Sequence, residues 1–566
     1  MNKKIILIFL LIIALFSSCP KKQSQQLPAE LPQENFQRQN TTEDNSIFRQ
    51  TSETDYDPSQ YTNENDFETE VVGTREAGRT ARIKKYTGRS EKIKIPPRIG
   101  GIPVAAIGKD AFFDEESSYY DDSGRITEVT IPDSVTSIEE GAFRSNQLTA
   151  IVIPQSVTFV GNGAFSGNRL TSVAISNGVT YIGRSAFAYN QLTDFVIPQS
   201  VTGIEESAFC GNKLDSIVIP EGVTYIGADS FRWNKLTEAA IPASVTSIEE
   251  GAFYENQLTS VAISSGLTDI GKEAFCKNQL TGVTIPESVT SIGEGAFRDN
   301  KLTGVVIPNS VTHIGEGAFK FNQLTSVAIS NNITGIEKEA FMDNKLTDFV
   351  IPEGVTSIGE GAFRDNKLAK VTISNSVTII ERNAFSSNQL TSVVIPNGVK
   401  GIEKEAFKNN RLTNIVIPNS VTSIGDEAFR ANQLTNVVIP NSVTTIGRWA
   451  FQNNKLAKVT IPNSVTIIER NAFSSNQLTS VVIPNSVTRI YEEAFSNNQL
   501  TSVTISDSVT FIGNWAFHYN KITKIRIGSN VKLGGLAAVF DDGFDDFYTS
   551  NGSKAGTYTY TNGTWK

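Results

Sequence analysis

From Ile126 onward the apolar positions fall into a unit of 22 residues that recurs without a slip as far as Phe517. Phenylalanine stands in phase eighteen times, from Phe143, Phe165 and Phe187 to Phe517, and Phe112 opens the series ahead of nine extra residues around DEESSYYDDSG. In Leu148-Thr149-Ala150-Ile151-Val152-Ile153-Pro154 the spacing L-x-x-I-x-I ends in period-two alternation, which predicts a short half-buried strand. Proline closes most of these strands because it cannot donate to the next ladder bond. A second apolar pair, as in Val135-Thr136-Ser137-Ile138, turns the chain back to the core, and Ala142-Phe143 fills the far side. The residue after that second isoleucine is usually Gly but is Glu at 139, 205, 249, 337, 381, 403 and 469, so the position does not require positive φ.

Three residues after each of the eighteen phenylalanines stands an asparagine: Asn146, Asn168, Asn190, Asn212, Asn234, Asn256, Asn278, Asn300 and onward to Asn520. A side-chain amide donates and accepts at once, so stacked copies can satisfy backbone groups that no strand reaches. This column reads as an internal asparagine ladder rather than a ligand site. Each unit offers about seven core side chains, on the order of 20 kcal/mol of burial against a larger ordering cost. A unit therefore folds only beside its neighbours.

Whole units have been copied. NAFSSNQLTSVVIPN occurs at 383–397 and again at 471–485, and 368–397 differs from 456–485 only at Ser374 against Pro462. A catalytic site needs one set of groups, whereas a repeated surface gains from copies. The two residues after each phenylalanine vary most. Tyr189, Trp233, Tyr254, Phe321 and Tyr519 fall there and are expected to project from one loop edge as candidate ligand-binding anchors. Between core residues the strand face is mostly Thr, Ser, Ala and Val. It carries Glu128, Asp194, Glu238 and Asp348 early, and Lys370, Lys458 and Lys524 later.

The chain has 566 residues, 50 basic and 59 acidic, for a net charge of −9, which argues against a nucleic-acid partner. Its two histidines, His313 and His518, are far apart, and phosphate-loop, GxSxG and HExxH motifs are absent, so no enzyme, cofactor or metal is expected. Glu139-Glu140 and Glu249-Glu250 read as a solvated turn. Asp541-Asp542 and Asp545-Asp546 offer hard oxygens of the kind calcium takes, without the spacing of a known calcium loop. Cys210 and Cys276 sit three units apart, roughly 14 Å in a stack of strands, too far for a disulfide.

Met1-Asn2-Lys3-Lys4 precedes an apolar run from Ile5 to Phe16. As a helix that run reaches about 18 Å, too short to span about 30 Å of hydrocarbon, so it reads as a secretion signal. Ser17-Ser18-Cys19 resembles a bacterial lipoprotein processing box, which implies cleavage before Cys19 and lipidation there. The expected organisation is a lipoprotein signal peptide (1–18), a disordered tether (19–68), an N-terminal cap with the first repeat (69–112), an insertion (113–125), the array (126–527) and a C-terminal cap (528–566) with Asn562-Gly563 as a hairpin turn.

L-T-x-V-x-I-P-x-x-V-T-x-I-G-x-x-A-F-x-x-N resembles the leucine-rich repeats of the treponemal, BspA-like class of bacterial surface proteins, over roughly residues 80–566. The unit here is 22 residues where that family often has 23. The resemblance implies a β-rich leucine-rich-repeat solenoid of about nineteen repeats, with short parallel strands, irregular or 3-10 turns and a small β-rich C-terminal cap. It also implies a lipid-anchored protein of the bacterial cell envelope, exposed on the outer surface. Such a protein acts as an adhesion scaffold for extracellular matrix proteins, such as fibronectin or fibrinogen, or for other bacterial cells. A structural spacer without a specific ligand is the alternative.

Overall fold

The computed structural model describes residues 56–74, 78–114, 125–535 and 537–566. The signal segment, Cys19, most of the tether and most of the 113–125 insertion lie outside these residues.

The described chain winds as a β-solenoid of about twenty turns. Each turn adds one step to two parallel ladders. The first ladder is built from strands such as Ala150–Ile153, which pairs with Ser172–Ile175 through Ala150↔Ser172 and Ile153↔Ile175. Its alternation of exposed and buried residues follows from the L-x-x-I-x-I spacing, and Leu148, Ile151 and Ile153 are all core. The second apolar pair does more than return the chain. Ser137–Ile138, Phe159–Val160 and Tyr181–Ile182 form a second ladder of two-residue strands.

Between the ladders the backbone still bonds from turn to turn. Phe143 N donates to Ala164 O at 2.8 Å, and Thr158 N to Thr136 O at 2.9 Å. The phenylalanine side chains form one column through the core, from Phe112 to Phe517. Neighbouring rings are 4.7–5.9 Å apart and within 17° of parallel. Phe540 continues it, 5.0 Å from Phe517 and 2° off parallel, although its spacing of 23 breaks the sequence period.

Each ladder is closed by antiparallel pairing at a different end. At the N-terminal end Phe67–Val72 pairs antiparallel with Thr80–Tyr86, which runs parallel to Ile102–Ile107 of the second ladder. At the C-terminal end Gly556–Thr561 pairs antiparallel with Lys524–Ile527 of the first ladder, then folds onto Thr564–Trp565. Asn562 and Gly563 have φ of 52° and 81°, the left-handed pair of a tight hairpin turn. The cap also contains a helix, Phe544–Ser550, that buries Phe544 and Tyr548. Such closure protects edges that would otherwise recruit further strands.

The tether expectation is corrected over 56–68. Pro58–Gln60 and Glu64–Asp66 are 3-10 turns capped by Asp57 and Asn63, and Thr62 N donates to Lys94 O at 2.9 Å. Phe67 is buried 5.4 Å from Tyr86 and 6.3 Å from Phe112. A few polar side chains that cap backbone, with one aromatic on the end of the phenylalanine column, order a segment whose composition reads as coil.

Candidate binding surface

Each of the eighteen turns from Phe143 to Phe517 passes through two left-handed residues, placed two before and two after the phenylalanine. Around Phe143 these are Gly141 (φ 62°) and Ser145 (φ 57°); around Phe231 they are Asp229 (φ 53°) and Trp233 (φ 57°). The two reversals aim the phenylalanine inward, then return the chain so that the asparagine also points inward. The glycine-rich position after the second isoleucine has ordinary φ, as its tolerance of glutamate predicts. Glycine there serves close approach instead: a Cβ on Gly161 would lie 2.6 Å from the carbonyl carbon of Glu139.

The asparagines from Asn146 to Asn498 are buried. Asn168 Nδ2 donates to Phe143 O at 2.8 Å in the preceding turn and to Phe165 O at 3.1 Å in its own, while Oδ1 accepts from Leu148 N at 3.1 Å. Asn300 repeats this with Phe275, Phe297 and Leu280. Leaving such a backbone group unpaired would cost about 1–3 kcal/mol. At the end of the array the cap offers carbonyls to Trp515 N and Phe517 N, and beyond them the Asp541 carboxylate takes over, accepting from Asn520 N at 2.9 Å and Tyr519 N at 3.3 Å. Asp545 accepts from Val539 N and Phe540 N, and burial nevertheless pushes its carboxyl above the usual range. These two acids of the cap are therefore occupied with backbone. Among the described residues no group of three or more His, Cys, Asp or Glu is placed to hold a metal ion.

The five edge aromatics do not share one environment. Tyr189, Trp233, Phe321 and Tyr519 occupy the left-handed position after the phenylalanine and are 56%, 43%, 43% and 70% exposed. Tyr254 is corrected: it stands one residue earlier, is 8% exposed, and packs under the Arg232 guanidinium at 4.3 Å, with Lys277 Nζ at 5.1 Å. Arg232 also lies 4.5 Å above the Trp233 ring and is held by Asp229 at 2.9 Å. Trp233 Nε1 donates to Glu255 at 3.0 Å. The Tyr189 ring rests on Gly211, whose φ of 68° and whose ring contact (a Cβ would lie 2.8 Å from Tyr189 Cδ1) both call for glycine. Cys210 and Cys276 are free, and burial pushes both thiols up to about 11.

Sequence reading missed a charged column behind this edge. Acids at the left-handed position before phenylalanine meet bases just after it: Glu405 and Glu427 with Lys408, Glu427 with Arg430, Glu273 with Arg298, Glu339 with Lys320, all at 2.6–2.9 Å. Its signal was an acid and a base three residues apart across the phenylalanine, as in Asp229/Arg232 and Glu427/Arg430.

A separate surface is the outward side of the first ladder. Register aligns Asp348 with Lys370 and Asn436 with Lys458 on adjacent strands. Threonine hydroxyls beside the second ladder, such as Thr180 to Thr158 O at 3.2 Å, tie successive turns together and leave the outline regular.

A search of curated proteins finds no match. Solved structures similar to the chain include the pneumococcal vaccine antigen PcpA (19% identity over 59% of this chain and 84% of that one, TM-score 0.37). Others are a leucine-rich cell surface protein from Faecalibacterium prausnitzii A2-165 (21%, 82% and 93%, TM-score 0.27) and a leucine-rich repeat protein from Bacteroides ovatus ATCC 8483 (19%, 80% and 91%, TM-score 0.33). The model of the BspA type leucine-rich repeat region matches at 115–237, 224–347, 334–457 and 422–538, which together span more than half of the sequence. The chain belongs to the BspA type leucine-rich repeat family.

Proposed function

We propose that the chain is a lipid-anchored adhesion scaffold on the bacterial surface, binding protein ligands of the host matrix or of neighbouring cells through its aromatic edge. The observation that carries this reading is the placing of four exposed aromatic side chains at a backbone position that disfavours them. Elsewhere in the array the same position holds Asn409, Asn453 and Asn497, which tolerate a left-handed φ better, but also Glu255, Lys277 and Ala431. An aromatic there costs backbone comfort and gains a protruding anchor. Arg232, stacked between Trp233 and Tyr254, stiffens the central part of this edge. Cys19 is the lipid-bearing residue in this reading.

The test replaces Tyr189, Trp233, Phe321 and Tyr519 with Asn in the full chain displayed on cells, which then settle on fibronectin, fibrinogen, laminin or collagen. Asparagine is native to this position, so the turns keep their backbone. Attachment falls at least tenfold on one or more of these proteins. Unchanged attachment on all four sinks the assignment of the edge. The duplicated blocks favour a second reading, in which array length itself is the useful quantity and the chain is a spacer. In that case cells carrying the wild-type chain attach to none of the four.

A further inference from the structure

The outward side of the first ladder is divided by charge. The ladder's first strand, Lys92–Lys94, carries two lysines, one paired with Glu128 and the other over the Tyr61 ring; from the Glu128 strand to the Asp348 strand the exposed positions carry Glu128, Asp194, Asp215, Glu238 and Asp348 and no base. From the next strand onward they carry Lys370, Lys458, Lys524 and Arg526 and no acid. The sign changes at one step, where Asp348 lies in register with Lys370. At the first turn Glu128 is matched by Lys92 at 3.1 Å, and at the last turn Arg526 lies 4.0 Å from Asp507. Among the described residues no ion pair joins Asp194, Asp215, Glu238, Lys370, Lys458 or Lys524 to the rest of the chain.

The same face carries an exposed apolar column. One outward position per turn holds Val152, Val196, Val218, Val306, Val350, Val394, Val416, Val438 and Val482, with Ala or Thr in most remaining turns. Val394 and Val416 are 79% and 78% exposed, far more open than an isolated surface valine needs to be. Small side chains recur at constant spacing along this face. Some 10 Å of strand width over a ladder on the order of 90 Å long approaches the roughly 800 Å² per partner of a stable interface.

We infer that this face is the contact between two copies of the chain, laid face to face in opposite directions. A two-fold axis sets the acidic N-terminal half of one copy against the basic C-terminal half of the other, twice over, with the valine columns between them. A parallel arrangement would oppose acid to acid and base to base. The chain thus carries on one face both halves of a complementary pair, and that observation selects a second copy over an unrelated partner. The inference concerns a different surface from the aromatic edge and stands or falls apart from it.

The test co-expresses two full-length copies with different tags and measures how much of one is captured with the other after gentle solubilisation. One variant reverses the acidic half (Asp194→Lys, Glu238→Lys); the other reverses the basic half (Lys458→Glu, Lys524→Glu). Wild-type tags co-purify, and less so as salt rises from about 0.1 M to 1 M, where screening lengths fall from about 10 Å to about 3 Å. Each variant with itself is captured at least tenfold less. The two variants mixed together recover the wild-type yield, which also shows that both are folded. Wild-type tags that stay apart overturn the inference, as do variants that self-associate like wild type or fail to recover when mixed. The four Asn substitutions at the aromatic edge leave co-purification unchanged while testing attachment separately.

Discussion

At Trp233 a bulky side chain sits on a backbone with φ of 57°, a conformation costing an L-residue roughly 1–2 kcal/mol that glycine does not incur. Trp233→Gly is therefore expected to be more stable than Trp233→Ala by about 1 kcal/mol, the reverse of the usual order, as measured by denaturant unfolding of the two variants. The invariant asparagine was legible in the sequence, because one polar residue that never changes beside a core phenylalanine has to satisfy something buried. The left-handed pair was not. Its occupants run from Gly141 to Trp515, and a position defined by backbone angle leaves only a faint excess of Gly, Asn, Asp and Ser. Tyr254 was misplaced for a related reason: one step along a tight reversal swings a side chain from solvent to cover, and residue type alone does not say on which side of that step it falls.

Among the elements, the first ladder follows from period-two alternation, whereas the second, two residues per strand, is too short for any periodicity to register. The helix Phe544–Ser550 escaped for the same reason, at barely two turns. Phe540 was hidden by a single extra residue in its spacing. The charged column supporting the edge has its own signature. Burial opposes ionisation of Glu427, but its bonds to Lys408 and Arg430, both at 2.7 Å, prevail and hold its carboxyl below the usual range. A depressed carboxylate stabilises the fold above its unfolded-state pKa, about 4.3, and loses that contribution as pH falls through the lower folded value. Glu427→Gln should thus be less stable than wild type at pH 7, with the gap closing below about pH 4, as followed by unfolding across that range.

For the molecule as a whole, neighbour-only wiring explains why long blocks can be duplicated. Glu381-Arg382-Asn383 and Glu469-Arg470-Asn471 are the same three residues, 88 positions apart. Deleting 383–470 rejoins that sequence in phase and should give a shortened chain with wild-type thermal stability and proportionately less β signal by circular dichroism. Deleting 383–459 instead brings a strand opposite a turn, and should lower the melting temperature sharply. The repeat number was readable because the core of every turn is written in the same letters; the ordered stretch 56–68 was not, since its contacts are made to one end only. The bonds that tie each turn only to the next also have a mechanical meaning. Tension applied along the stack meets one short seam at a time, so the chain yields link by link, each released turn supplying up to about 75 Å of slack. If the proposed adhesive role holds, a cell held by such a chain in flowing liquid is moored by a cable that lengthens before it parts.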